Sequence, residues 1–345
     1  MSTLIIWGVA SFVLSFGLTV LIKRFAHILG VLDRPQAKRK IHKRPIAQGG
    51  GVAIFIAVCA VIIGLLYSGD LLTAGEITSN HYIGVLLGGF VLMIGGYIDD
   101  RWGIPPYAAI IAPMIAAGLA IGFGIEVDKL TNPFGGVIEL TQVQSAMLVF
   151  VWLMVVMYTT KFLDGLDGLA TSVSGVGGAM IMLLSLTTAY FQPDVAILSA
   201  VSIGALLGFL FWNIHPASIF LGEGGSLFVG YLLGVLSVIS GGKLAVALLV
   251  LGIPLFDAVW VVVRRFRAGG VKQIFIGDRK HLHHRLLDRG WSQHRIVALY
   301  LFVALTFGSS ALFLQSREKL VALVLLTILL MIGAYVIVKK DRKVT

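Results

Sequence analysis

Residues 144–170 read QSAMLVFVWLMVVMYTTKFLDGLDGLA. No charged side chain occurs from Gln144 to Thr160, and the apolar run through Leu163 has the roughly 20 residues that an α-helix needs to cross a bilayer. It stops on Asp164-Gly165-Leu166-Asp167-Gly168, and a second apolar run begins at Leu169. Read in order, this is a spanning helix, an interfacial turn and the next spanning helix.

The same alternation extends outward to both ends of the chain. Apolar runs at 3–22, 49–67, 81–98, 107–125, 144–163, 169–190, 195–213, 225–242, 244–263, 296–314 and 320–338 each meet the length rule with small variations. The expected fold is an all-α polytopic membrane protein with about 11 transmembrane helices, forming one integral-membrane domain over residues 1–345. Composition agrees: 58% of the residues are hydrophobic and 13% charged, with mean hydropathy +0.95. Soluble domains carry about 25% charged residues. The sole cysteine, Cys59, rules out a disulfide framework and a cysteine zinc site. Met1-Ser2-Thr3 offers no basic leader to the first run, which reads as a retained helix.

Lys and Arg orient the chain. With the N-terminus outside, 23 of the 27 basic residues fall on inner connections and only Lys129, Lys243, Arg317 and Lys319 on outer ones. That asymmetry is the positive-inside pattern and puts the C-terminus in the cytoplasm. The formal charge of +10 is thus accounted for by the membrane, with no nucleic acid as partner. On the outer side, 126–143 reads as a small hairpin around Asn132-Pro133-Phe134-Gly135-Gly136.

The informative loops are the inner ones, at about 23–48, 99–106, 161–168, 214–224 and 264–295. Carboxylates gather there: Asp99, Asp100, Asp164, Asp167, Glu223 and, in the inner half of the ninth run, Asp257. Carboxylates near membrane depth are costly and mark function. An Asp pair can bind a dication or move a proton, or can simply end a helix in solvent. The Asp164–Gly168 turn exposes backbone amides beside two carboxylates, which suits a base and ribose or a metal; a tight helix–helix turn is the plainer reading. Gly222-Glu223-Gly224-Gly225, entering a helix, is a weak phosphate signal or a hinge. His281-Leu282-His283-His284 lies among Arg and Lys with no cysteine nearby, which favours anion binding over zinc. In the first inner loop the basic run around His42 follows the topology, whereas Gly49-Gly50-Gly51 does not.

Taken in order, DDR at 99–101, FLDGLDGLA at 162–170, FLGEGGSLFVG at 220–230 and HLHHRL at 281–286, with Pro254-Leu255-Phe256-Asp257, resemble the polyprenyl-phosphate N-acetylhexosamine-1-phosphate transferases. The likeness runs from about Asp33 to Arg289, and HxHH looks like the GlcNAc-1-phosphate branch. It implies an enzyme that moves N-acetylhexosamine-1-phosphate from a UDP-sugar to a polyprenyl phosphate at the cytoplasmic face, with Mg2+ as cofactor and, as in many relatives, a homodimer in the membrane lipid. By position it implies that Asp99 and Asp100 serve the lipid phosphate. Asp164 and Asp167, with the Gly165-Leu166 backbone, would line the uridine site, and His281, His283 and His284 would hold the sugar diphosphate. Glu223 and Asp164 would ligate the metal, and Lys161, Asn213 and His42 would touch substrate. This chain departs from the family pattern at Glu223 (usually Asp), Lys161 and Tyr158 (usually Asn) and Ala47 (usually Pro). The alternatives are a phospho-MurNAc-pentapeptide transferase type and, from another class, a secondary transporter. The latter predicts inverted repeats and midplane charges, neither of which the sequence has.

Overall fold

The computed structural model describes residues 2–35, 44–75, 77–241, 243–270 and 281–341. Within them the chain is almost wholly helical. The helices are α1 (Ser2–Leu29), α2 (Gly50–Ser68), α3 (Ser79–Trp102), α4 (Pro106–Ala109), α5 (Ile111–Gly122), α6 (Gln142–Leu163), α7 (Leu169–Ser185) and α8 (Pro193–Asn213), then α9 (Gly222–Ile239), α10 (Leu244–Val250), α11 (Gly252–Gly269), α12 (Leu282–Asp288), α13 (Gln293–Phe313) and α14 (Ser316–Asp341). Among the described residues seven of these (α1, α2, α3, α6, α8, α9 and α13) are long and apolar enough to cross a membrane, and the bent pair α10–α11 makes eight. Eleven crossings were expected.

Proline explains where two expected spans depart from straight helices. The run at 107–125 is split after Ala109, and the run at 244–263 breaks after Val250 with a 78° bend. Each break falls four residues before a proline, Pro113 and Pro254, at the carbonyl that a proline ring cannot be bonded to and collides with. Pro254 then sits in the first turn of α11, where no donor is needed.

α9 lies at the centre, nearly all of its spanning window buried. A helix apolar all round is one enclosed by others, and α9 packs on α2, α3, α6, α7, α8 and α10. Small residues let it: Gly230 and Gly234 present no side chain to α6 at Met157 and Leu153, and a methyl on Gly96 of α3 would run into the Gly224 main chain. Gly204 and Gly208 of α8 take the same part against the α1 main chain at Gly8 and Phe12.

Two short antiparallel ladders complete the fold. β1 (Leu32–Asp33) pairs with β2 (Ile46–Ala47). The expected outer hairpin forms from β3 (Lys129–Thr131) and β4 (Val137–Glu139), with Lys129 opposite Glu139. β2 also touches the loop before α9: the Phe220 amide donates to the Ala47 carbonyl, and the Gly50 and Gly51 amides donate to the Phe220 and Leu221 carbonyls, each at 2.9 Å. The glycine triplet is thereby explained. A Cβ on Gly51 would strike the Gly225 backbone, so only glycine lets α2 start this close to α9.

Candidate active site

The ends of α3, α6, α8 and α9, the α11 tail and α12 surround one cavity of about 1220 Å3. Twelve of the thirteen candidate residues line it: Asp99, Asp100, Lys161, Asp164, Gly165, Leu166, Asp167, Asn213, Glu223, His281, His283 and His284. His42 lies outside the described residues. Residues far apart in sequence thus share one wall because α9 draws α3 and α6 together.

The adjacent aspartates diverge, as a helix requires. Asp99 Oδ1 accepts from the Ile104 amide at 3.1 Å, tying the carboxylate to the turn after α3. Asp100 accepts from the Glu223 amide at 3.1 Å and so caps the start of α9. The same amide also lies 3.3 Å from Asp100 Oδ1, and this bifurcated contact couples the Asp pair to the glycine-rich loop.

The Asp164–Gly168 turn is held from two sides. Gly168 takes φ +73° at the N-cap of α7, a conformation natural to glycine. Its amide donates to Asn213 Oδ1 at 3.1 Å, Thr171 Oγ1 donates to the same oxygen at 3.3 Å, and Asn213 Nδ2 donates to the Ile219 carbonyl at 3.0 Å. Asn213, 2% exposed, therefore clamps the turn to the 214–221 loop with its whole amide. Asp167 Oδ2 lies 2.6 Å from His215 Nδ1 and accepts from the Ala217 amide at 3.1 Å. Its own amide donates to Gln293 Oε1 at 3.3 Å. Asp164 ends α6, and burial pushes its carboxyl well above the usual range, with Glu223, Asp100 and Asp167 adding to the rise.

Asp257 organises the histidines. Its Oδ2 lies 2.8 Å from His281 Nδ1, and its Oδ1 accepts from the Leu282 amide at 2.9 Å. A carboxylate at Nδ1 fixes the ring's orientation and leaves its other nitrogen for the cavity. His283 stacks on His281 at 5.7 Å between centroids and meets His284 at 4.3 Å. Burial, then the neighbouring His284 and His281, hold the His283 imidazole well below its ordinary pKa, so it is neutral. His283 Nε2 is enclosed against Gly165 and has no hydrogen-bond partner among the described residues.

Lys161 Nζ lies 2.5 Å from Glu223 Oε2, with the Tyr158 ring centre 5.9 Å from the same nitrogen. This pair decides how well the residues fit the Mg2+ that the resemblance implies. A hard dication wants about six oxygen ligands. The carboxylate expected to supply one already holds an ammonium, and Asp100 is turned to a backbone amide. Among the described residues no three His, Cys, Asp or Glu side chains converge as a metal shell. An ammonium about 4 Å from a dication would cost about 8 kcal/mol at an effective dielectric near 20. As arranged, the residues do not fit a resident dication.

Sequence reasoning gave no role to His215, Asp257, Gln293 or Arg265. Asp257 lay within a motif that had been singled out and His215 within the 214–224 inner loop, but their partners are 24 and 48 positions away. Arg265, buried in α11 and lining the cavity, was indistinguishable from the positive-inside residues beside it.

Comparison with known proteins points one way. Residues 82–241 match the model of Glycosyl transferase family 4. The chain is 30% identical over 321 residues to a probable undecaprenyl-phosphate N-acetylglucosaminyl 1-phosphate transferase of Bacillus subtilis, covering 91% of this chain and 85% of that protein. It is 31% identical over 360 residues to the decaprenyl-phosphate N-acetylglucosaminephosphotransferase of Mycobacterium tuberculosis, covering 96% and 86%. To the phospho-N-acetylmuramoyl-pentapeptide-transferase of Corynebacterium kroppenstedtii it is 28% identical over 365 residues, covering 88% and 95%.

Proposed function

This chain belongs to glycosyl transferase family 4, and on that premise we propose that it transfers N-acetylglucosamine-1-phosphate from UDP-GlcNAc to a membrane polyprenyl phosphate. An oxygen of the lipid phosphate attacks the β-phosphorus of the UDP-sugar. The bond from that phosphorus to the UMP oxygen breaks, leaving UMP and a polyprenyl-diphosphate sugar. The observation that carries this reading is the single cavity in which the Asp pair, the Asp164–Gly168 turn and the histidine cluster meet.

The chemistry suits that place. One substrate is an isoprenoid confined to the bilayer and the other a nucleotide excluded from it, so reaction belongs at the interface. Phosphoryl transfer between anions needs positioning and positive charge more than a covalent partner. Asp99 and Asp100 orient the lipid phosphate and take up its proton. Gly165, Leu166 and Asp167 face the uridine, with His215 and Asn213 fixing the turn that carries them. His283 and His284 donate to the diphosphate, and Asp257 orients His281 beside them.

The same reading assigns eleven crossings, the N-terminus outside and the cavity on the cytoplasmic side of the cell membrane, supported by the 23 of 27 basic residues on that side. It includes a homodimer. The test is release of UMP by purified protein given polyprenyl phosphate and a panel of UDP-N-acetylhexosamines. UDP-GlcNAc should be used best; silence with the whole panel refutes the reading, and preference for UDP-MurNAc-pentapeptide moves it to the peptidoglycan type.

A further inference from the structure

Three side chains that depart from the family pattern meet at one point of the cavity. The Lys161 ammonium is 2.5 Å from Glu223 and 5.9 Å from the Tyr158 ring centre. All three residues line the same space as Asp99, Asp100 and Asp164.

We propose that the Lys161 ammonium is this enzyme's own resident cation: anchored by Glu223 and Tyr158, it meets the substrate diphosphate in place of a divalent metal. The inference rests on the sugar-phosphate transfer reading. An ammonium has three donors and no acceptor. One is engaged by Glu223, and the others are available to diphosphate oxygens as charge-assisted hydrogen bonds. A carboxylate on one side and an aromatic face on the other keep a lysine head in one position, which a long flexible side chain otherwise lacks.

A purely structural ion pair is the plainer alternative, and the packing argues against it. α6 and α9 close on each other where Gly230 meets Met157 and Gly234 meets Leu153, without help from the pair. Neither partner is sealed in that seam, because the Lys161 and Glu223 side chains keep 21% and 38% of their surface exposed. The pair faces a cavity that Lys23 and Arg44 also line, and that added positive charge places it to receive an anion.

The test uses the full chain in detergent or nanodiscs: wild type, Lys161→Asn and Lys161→Arg, with thermal melting as a check on folding. Mn2+ uptake is measured by loss of the free-ion electron paramagnetic resonance signal, and UMP release is measured in EDTA and across a Mg2+ titration. Wild type should take up no Mn2+ and should release UMP undiminished in EDTA. Lys161→Asn should bind Mn2+, lose about 100-fold in EDTA, as expected when one preorganised donor is removed, and recover with Mg2+. Lys161→Arg should remain indifferent to EDTA. One Mn2+ per wild-type chain, bound as tightly as by Lys161→Asn, overturns the proposal, as does wild-type turnover that EDTA abolishes and Mg2+ restores. If Lys161→Asn fails to fold, these wild-type measurements decide alone. If UMP is released under no condition, the transfer reading falls, while Mn2+ uptake still decides the cation.

Discussion

Gly165→Ala tests the contact between the Asp164–Gly168 turn and the histidine cluster. The Gly165 backbone does not occupy the positive-φ region, so alanine brings no main-chain strain. Its Cβ, however, would stand well inside contact distance of His283 Nε2 and only 3.1 Å from Cδ2. To restore ordinary van der Waals spacing, Nε2 must retreat by roughly 1 Å. The imidazole is 2% exposed and is flanked by His281 and His284, so a simple swing is closed to it and α12 must move with it. A displacement of about 1 Å in a positioning group lowers kcat by about 100-fold, which is about 2.7 kcal/mol in the barrier. Overpacking takes a further 1–3 kcal/mol, roughly, from stability. The assay is UMP release with kcat and KM separated, alongside thermal melting, for Gly165→Ala, His283→Ala and the double variant. Because both changes act through one imidazole, the double variant should lose no more than His283→Ala does alone. A folded Gly165→Ala protein with wild-type kcat refutes the reasoning, and so do losses that simply add.

Asp99→Asn and Asp100→Asn should each abolish UMP release while leaving membrane insertion intact, since both carboxylates line the cavity; normal turnover in both returns the pair to a solvated helix end. Gly96→Ala should destabilise the protein by about 3 kcal/mol or more, because the new carbon meets the Gly224 main chain and not a movable side chain; an unshifted melting temperature counts against the α3–α9 crossing. His283 gives a pH signature. Its folded pKa is lowered, so only the unfolded chain takes the proton as pH falls through about 6.5, and stability should drop by about 1.4 kcal/mol per pH unit below that. Melting curves from pH 7.5 downward should show the loss, and His283→Gln should flatten it; equal slopes in the two proteins overturn it.

Much of this protein is legible in one dimension because the bilayer imposes one-dimensional rules. The run from Gln144 to Leu163 must be a helix, since lipid leaves no other partner for its backbone, and α6 spans Gln142–Leu163. The Asp164–Gly168 turn and the 129–139 hairpin followed from glycine, aspartate and proline chemistry of equally short range. Proline also held the break sites: α4 and α10 end four residues ahead of Pro113 and Pro254, a rule that a hydropathy window smooths away. What needed the tertiary structure is each pairing across helices. Asp100 caps α9 123 positions on, Asp167 holds His215 across 48, and Asp257 aligns His281 across 24. Lys161 reaches Glu223 only because Gly230 and Gly234 let α9 lie against α6. Hydropathy fixes which residues leave water and says nothing of which neighbours they find there. That choice is made by the close fit of glycine-lined helix faces, and it brings the Lys161 ammonium against Glu223 in the wall of the cavity.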